Sequence, residues 1–378
     1  MKNKYTIILL AALVVLASCR DENWYPGASL TAIGDVSETY RGLLLLNEGN
    51  MGSNKCTIDC YDYTSGTYNR NIYGDCNPDV VLALGDGGND IGVYGGKIYV
   101  VVNQSNLVEV MDAFTFRHIT QISIPNGRNL AFCGGRVYVS SYAGAAYGDT
   151  EYRKGFVAEI DTASLNVVKT CEVGYQPEEM AVYGSKLYVA NSGGYCAPDY
   201  DSTVSVIDLT TFEVEKTIDV DVNLHRMEAD YERGLIFVSS RGDYYGIPSS
   251  VYVIDVQTDN VIMHIADLPC ADMALAGDSL YVYSTEFSYE TYQTVVSYAI
   301  YDIVRREIVT RNFITDGTES QIIYPYGLTV NKHSGDIYIT DAKDFMTPGT
   351  LFCYSREGKL KWSVMTGDVP GHFAFIRK

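Results

Sequence analysis

The sequence predicts an all-β fold, a closed seven-bladed β-propeller of four-stranded antiparallel blades, and three observations carry that expectation. A strand pattern with an aromatic anchor recurs along the 378 residues. Each copy is bounded by the same turn chemistry. The first anchor-type strand has no inner neighbour in sequence, and the last strand of the chain matches the missing one.

The copies read GGKIYVVVN from Gly95, GGRVYVSSY from Gly134, GSKLYVANS from Gly184, RGLIFVSSR from Arg233, GDSLYVYST from Gly277 and SGDIYITDA from Ser334. Their anchors are Tyr99, Tyr138, Tyr188, Phe237, Tyr281 and Tyr338, spaced about 39 to about 57 residues apart, a blade length. A short strand such as LAFC, MAVY or MALA precedes each turn; a loop, a third strand (VEVMD, VAEID, VSVID, VYVID, SYAIYD), a polar turn and a fourth strand follow. LLLLNEG from Leu43 supplies a seventh anchor strand, and HFAFI, His372 to Ile376, is its expected partner. Pairing the two chain ends removes the exposed edge and fastens the ring. An open solenoid of the same units needs capping repeats, and none is evident. The strings LYVANSGG and TVSVID resemble the YVTN-type propellers, a likeness that specifies a scaffold rather than an activity.

Ahead of the propeller, expected over residues 42–378, lie two shorter segments. MKNKYTIILLAALVVLASC joins two lysines, a short apolar run and small residues, so residues 1–18 read as an export signal. Leu16-Ala17-Ser18-Cys19 resembles the lipobox of bacterial lipoproteins, which implies acylation of Cys19; an ordinary cleaved signal is the alternative. The acidic residues after it resemble the surface-export signal of Bacteroidetes lipoproteins, which implies an outer-membrane anchor facing the cell exterior. Residues 19–41 show no periodicity and read as a tether.

The net charge of -19 repels phosphate backbones, so nucleic acid is excluded as a partner. Eight cysteines remain after Cys19, scattered and several inside apolar strands, so buried free thiols are expected for most. Cys56 and Cys60 would lie roughly 13 Å apart on one strand, too far to bridge.

In a propeller the loop after the second strand and the interblade linker open on one face. The loop inserts there begin at Tyr142, Ser192, Arg241, Thr285 and Ala342, are long for hairpin connections and are crowded with aromatic residues. Tyrosine offers a wide apolar face and a polar tip at low entropic cost, which suits a bulky amphipathic ligand. Candidate rim residues are Tyr142, Tyr147, Tyr195, Tyr200, Tyr244, Tyr245, Tyr289 and Tyr292. The linkers add Arg128, Gln176, Glu178, His225, Arg226 and His372 around a funnel, with Asn47 and Glu48 at its edge.

Signals for chemistry are weak. The five histidines show no HExxH, the cysteines no CxxC, and there is no GxSxG elbow or phosphate-cradling loop, so neither a catalytic role, a catalytic cofactor nor a metal site is expected. Glu178 and Glu179 are adjacent and point apart on an extended segment, unlike a working carboxylate pair.

The strings NEGNMGSNK, VGYQPEEM, KLYVANSGGY, VNLHRM, VSSRGDYY, RNFITDGTE, TPGTL and GKLKWSV resemble the BtuG-type surface lipoproteins of Bacteroides, from the anchor to the last strand. That resemblance implies binding of cobalamin (vitamin B12) and related corrinoids outside the cell and delivery to the TonB-dependent outer-membrane transporter BtuB. Cobalamin carries amide side chains around a flat macrocycle, which suits Asn47, Gln176 and Asn191 with the aromatic faces of Tyr142, Tyr244 and Phe287. Arg128, Arg226 or Arg241 suits the phosphate of its nucleotide loop. Tyr195, Tyr245, Tyr326, His225 and His372 complete the expected contacts, and an imidazole displacing the upper cobalt ligand is chemically allowed.

Three other functions compete. A surface glycan-binding propeller would favour tryptophan platforms, and the chain has only Trp24 and Trp362. A lyase would use His225 and His372. A partner-docking propeller would bind no small molecule.

Overall fold

A computed structural model describes residues 30–35, 37, 39–80, 84–144, 152–288 and 293–378. The expected export signal, Cys19, and Tyr147, Tyr289 and Tyr292 of the expected rim lie outside the described residues.

Seven antiparallel sheets form the blades. Blade 1 uses both ends of the described chain: Pro370–Arg377 innermost, then Tyr40–Asn47, Thr57–Asp62 and Thr67–Asn69. Blades 2 to 7 are four-stranded and begin, innermost, with Gly88–Tyr94, Gly127–Cys133, Pro177–Tyr183, Leu224–Asp230, Asp272–Ala276 and Pro325–Val330. Each innermost strand contacts the next, and that of blade 7 contacts that of blade 1, so the ring closes. The closure is the expected one: Leu43 pairs with Phe375 and Leu45 with Phe373.

Blade 1 departs from the four-strand expectation. Leu30–Ala32, inside the segment expected as tether, pairs with Thr67–Asn69 as a fifth, outermost strand. All three of its residues are exposed, so no burial pattern marks them in sequence. A five-residue helix, Ile72–Cys76, follows that blade; Asn71 caps its N-terminus through a 3.1 Å bond from the Gly74 N–H, and Tyr73 is buried beneath it.

The repeat has local physical causes. All six aromatic anchors are buried, where they pack between neighbouring blades. Every turn before an anchor holds a glycine at positive φ, and in blades 2 and 3 both central residues are such glycines, Gly95 and Gly96 with φ of 56° and 75° and Gly134 and Gly135 with 56° and 76°. The aspartate ending a third strand holds the next turn: Asp112 Oδ1 accepts from the N–H groups of Phe114 (3.0 Å) and Thr115 (2.7 Å), and Asp161, Asp208 and Asp255 do the same. All eight described cysteines are free, five of them buried.

Side chains near the axis staple one blade to the next. Carboxylates of Asp90, Glu179 and Asp272 accept from the backbone N–H of Leu130 (2.7 Å), Met227 (2.7 Å) and Leu328 (3.0 Å). At two further boundaries, the hydroxyls of Ser140 and Thr340 donate to the carbonyls of Glu178 (2.8 Å) and Pro370 (2.6 Å). These bonds pair buried polar groups close to the axis and hold neighbouring innermost strands at a fixed relative height.

Candidate functional site

The strand starts converge on one face. Asn89, Arg128, Glu178, His225 and Tyr326 are each the second residue of an innermost strand, and His372 is the third of its own. Equivalent positions in a closed ring aim at a common mouth. Together with the loops after the second strands of blades 5 and 6, they line a cavity of about 860 Å³. That is large for a small-molecule site and matches a bulky ligand.

One wall is charged. Glu178 lies at its centre, with Arg128 at 3.3 Å on one side, Arg241 at 3.3 Å on the other, and the Tyr142 hydroxyl donating to it. The Arg128 guanidinium also stacks 4.6 Å from the centroid of the Tyr142 ring. Burial opposes ionisation of Glu178, but Arg128, Arg241 and the tyrosine hydrogen bond outweigh it and hold its carboxyl below the ordinary range. Arg226 is committed elsewhere: Nη1 donates to Glu179 at 2.6 Å and Nε lies 3.1 Å from Asp272.

The two histidines of the mouth differ. His372 Nε2 lies 3.1 Å from Glu48, whose other oxygen accepts from the Tyr326 hydroxyl at 3.0 Å. Among the described residues His225 has no carboxylate partner, and its Nδ1 is buried with no hydrogen bond. Burial, then Arg241, Arg226, Arg128 and His372, push it well below the ordinary imidazole value, so it is neutral at physiological pH.

The other wall is aromatic and prearranged. Asp243 accepts from the N–H groups of Tyr245 (2.9 Å), Gly246 (2.8 Å) and Ile247 (2.8 Å), and Asn223 Nδ2 donates to the Gly242 carbonyl at 3.1 Å. That tight loop projects Tyr244 and Tyr245, which are 53% and 85% exposed. In blade 7, Asp344 accepts from Met346 (3.0 Å) and Thr347 (2.8 Å), and Phe345 packs edge-on against Tyr324 and Tyr326. Loops held by their own hydrogen bonds lose little entropy when a ligand arrives.

Of the expected contacts, Arg128, His225, Arg226, Arg241, Tyr244, Tyr245, Phe287, Tyr326 and His372 line the cavity. Asn47 and Asn191 do not. Both are fully buried, and their amides bond Thr57 (3.1 Å) and Thr203 and Ser205 (3.0 Å each), so they hold the wall together. Gln176 accepts from the Tyr195 N–H at 2.6 Å and fixes that loop, while Tyr142 is buried behind Arg128 and Tyr195 stacks edge-on against it. Tyr283, Glu286 and Tyr324 line the cavity without having been singled out; Tyr283 and Glu286 lie three residues apart on the strand Ser279–Ser288, which runs up into the rim.

Among the described residues the funnel holds no nucleophile paired with a base. Asp35, Asp336 and Cys353 come within metal-ligating reach of one another away from the funnel, but the Lys361 ammonium already bonds both carboxylates, at 2.5 and 3.0 Å.

A family model described as a domain of unknown function, DUF5074, matches residues 41–360. The chain belongs to the DUF5074 family. No curated protein sequence matches it. Among solved structures, the DUF5074 chain is similar to the hydrazine synthase of Kuenenia stuttgartiensis, with a TM-score of 0.59 and 15% identity over 75% of this chain and 88% of that one. It is also similar to a quinonprotein alcohol dehydrogenase-like protein of Bacteroides thetaiotaomicron VPI-5482, with a TM-score of 0.59 and 17% identity over 89% of this chain and 78% of that one. At such identities the likeness shows the propeller and leaves the chemistry of this DUF5074 member to its own funnel.

Proposed function

We propose that this protein is a surface-exposed lipoprotein that captures cobalamin and related corrinoids in the funnel and delivers them to a TonB-dependent outer-membrane transporter. One observation carries the reading. The strings that resemble the BtuG-type lipoproteins supply the funnel itself: NEGN contributes Glu48, VGYQPEEM Glu178, VNLHRM His225 and Arg226, and VSSRGDYY Arg241, Tyr244 and Tyr245. A likeness of scaffold alone would fall on strands.

The chemistry of the walls suits that ligand. Aromatic faces on blades 5 to 7 cover a flat macrocycle, and the polar groups opposite meet its amide arms. Capture followed by release returns the ligand unchanged, so no catalytic group is required. A glycan platform is disfavoured because Trp362 sits on an outer strand against Tyr61 and Tyr338.

Titration calorimetry of protein beginning at Arg20, without lipid, tests the proposal with cyanocobalamin and cobinamide. Tight binding near one ligand per chain is expected. No heat with either compound rejects the corrinoid reading and leaves the propeller in need of another ligand.

A further inference from the structure

The three arginines of the funnel are not equivalent. Arg226 is 11% exposed and held by Glu179 and Asp272. Arg128 is 18% exposed, lies under the Tyr142 ring and turns both Nε and Nη2 toward Glu178, at 3.4 and 3.3 Å. Arg241 is 28% exposed and makes a single contact of 3.3 Å through Nη1, leaving Nε and Nη2 without an acceptor among the described residues.

Charge accounting points the same way. Arg128 and Arg241 share one carboxylate, so the trio carries a net single positive charge inside a chain whose total is -19. Glu48, another carboxylate of the mouth, is taken up by His372 and Tyr326. The remaining one, Glu286, stands on blade 6. His225 lies on the same blade as Arg241, and after burial the groups that perturb it most are Arg241, Arg226, Arg128 and His372.

We propose that Arg241 and His225 form an anion subsite in the funnel, which takes the singly charged phosphodiester of a corrinoid's nucleotide loop. The proposal rests on the capture reading above and adds which part of the ligand is read and where. The free edge of the guanidinium, Nε and Nη2, presents two parallel donors, the geometry that grips two oxygens of one phosphate. The neutral imidazole of His225 adds a hydrogen bond without a competing counter-ion. The macrocycle then rests against the aromatic wall of blades 5 to 7, and the nucleotide loop turns back toward blades 3 to 5.

The test compares cyanocobalamin with cobinamide, which keeps the macrocycle and lacks the phosphate, on the unmutated protein and on Arg241→Gln and Arg241→Lys. Expected are a loss of about tenfold or more in cobalamin affinity for Arg241→Gln, little change for cobinamide, and partial recovery in Arg241→Lys. Unchanged melting temperatures establish that the variants fold. If Arg241→Gln weakens both ligands alike, or neither, the subsite is wrong while capture stands. If the unmutated protein binds neither corrinoid, capture and subsite fall together.

Discussion

Arg241, in the loop of blade 5, reaches back to Glu178 at the start of blade 4, with Nη1 and Oε1 3.3 Å apart. A loop residue and a strand residue thus meet across a blade boundary, beside a loop that Asn223 and Asp243 hold through bonds to its backbone. Binding groups on a rigid frame are what a capture protein with slow release requires.

The rigidity of that loop is testable at Asp243. Its carboxylate holds three backbone N–H groups at 2.8–2.9 Å. Asp243→Ala is expected to leave the melting temperature nearly unchanged and to speed ligand dissociation several-fold, read by stopped-flow chase. A contact-only account of the site expects no effect on the off-rate.

Aromatic contacts on the rim make a second prediction. Tyr245 is 85% exposed, so its removal costs the fold little. Tyr245→Ala is expected to weaken corrinoid binding by roughly 1 kcal/mol, about fivefold, in an equilibrium titration.

Ring closure depends on the pairing of the two chain ends. Leu45 is fully buried opposite Phe373, and Leu45→Ala is expected to cost about 2–5 kcal/mol in urea unfolding. Ile119→Ala, at a 41% exposed position on an outer strand, is expected to change stability by less than about 0.5 kcal/mol.

Proton linkage near the axis carries opposite signs. Burial raises Asp90 to about 6, with His372 and the Leu130 N–H only partly offsetting it. An acid raised on folding contributes stability that is present below its ordinary value near 4 and lost as pH rises through about 6. His225, lowered on folding, contributes stability that is present above its ordinary value near 6.5 and lost as pH falls. Asp90→Asn keeps an oxygen for the Leu130 N–H, so it is expected to remove the acid's share: between pH 5 and pH 7 the stability of the unmutated protein falls relative to the variant by about 1 kcal/mol, read from paired denaturation curves. Parallel curves contradict this.

The blades were legible because their causes are local. A buried aromatic every blade length, an aspartate that closes the third strand and a glycine at positive φ in the turn before each anchor repeat visibly, and the shared blade follows from the unpaired LLLLN segment. Leu30–Ala32 was not legible, since three exposed residues on an edge leave no alternation to read. In the site, Arg128, His225, Tyr326 and His372 at strand starts and Tyr244 and Tyr245 at a loop tip were found because those positions face the mouth. Asn47 failed by one position: it turns into the wall while its neighbour Glu48 lines the cavity. Successive side chains at a strand end point to opposite sides, and only the register decides which one the ligand meets.

The most direct test of the central claim is hydrogen exchange of the protein with and without saturating cyanocobalamin. The account predicts slowed exchange at residues 241–249, 283–287 and 324–326, with the glycine turns on the opposite face unchanged. Protection confined to those turns or to the outer strands, or none at all, contradicts capture in the funnel.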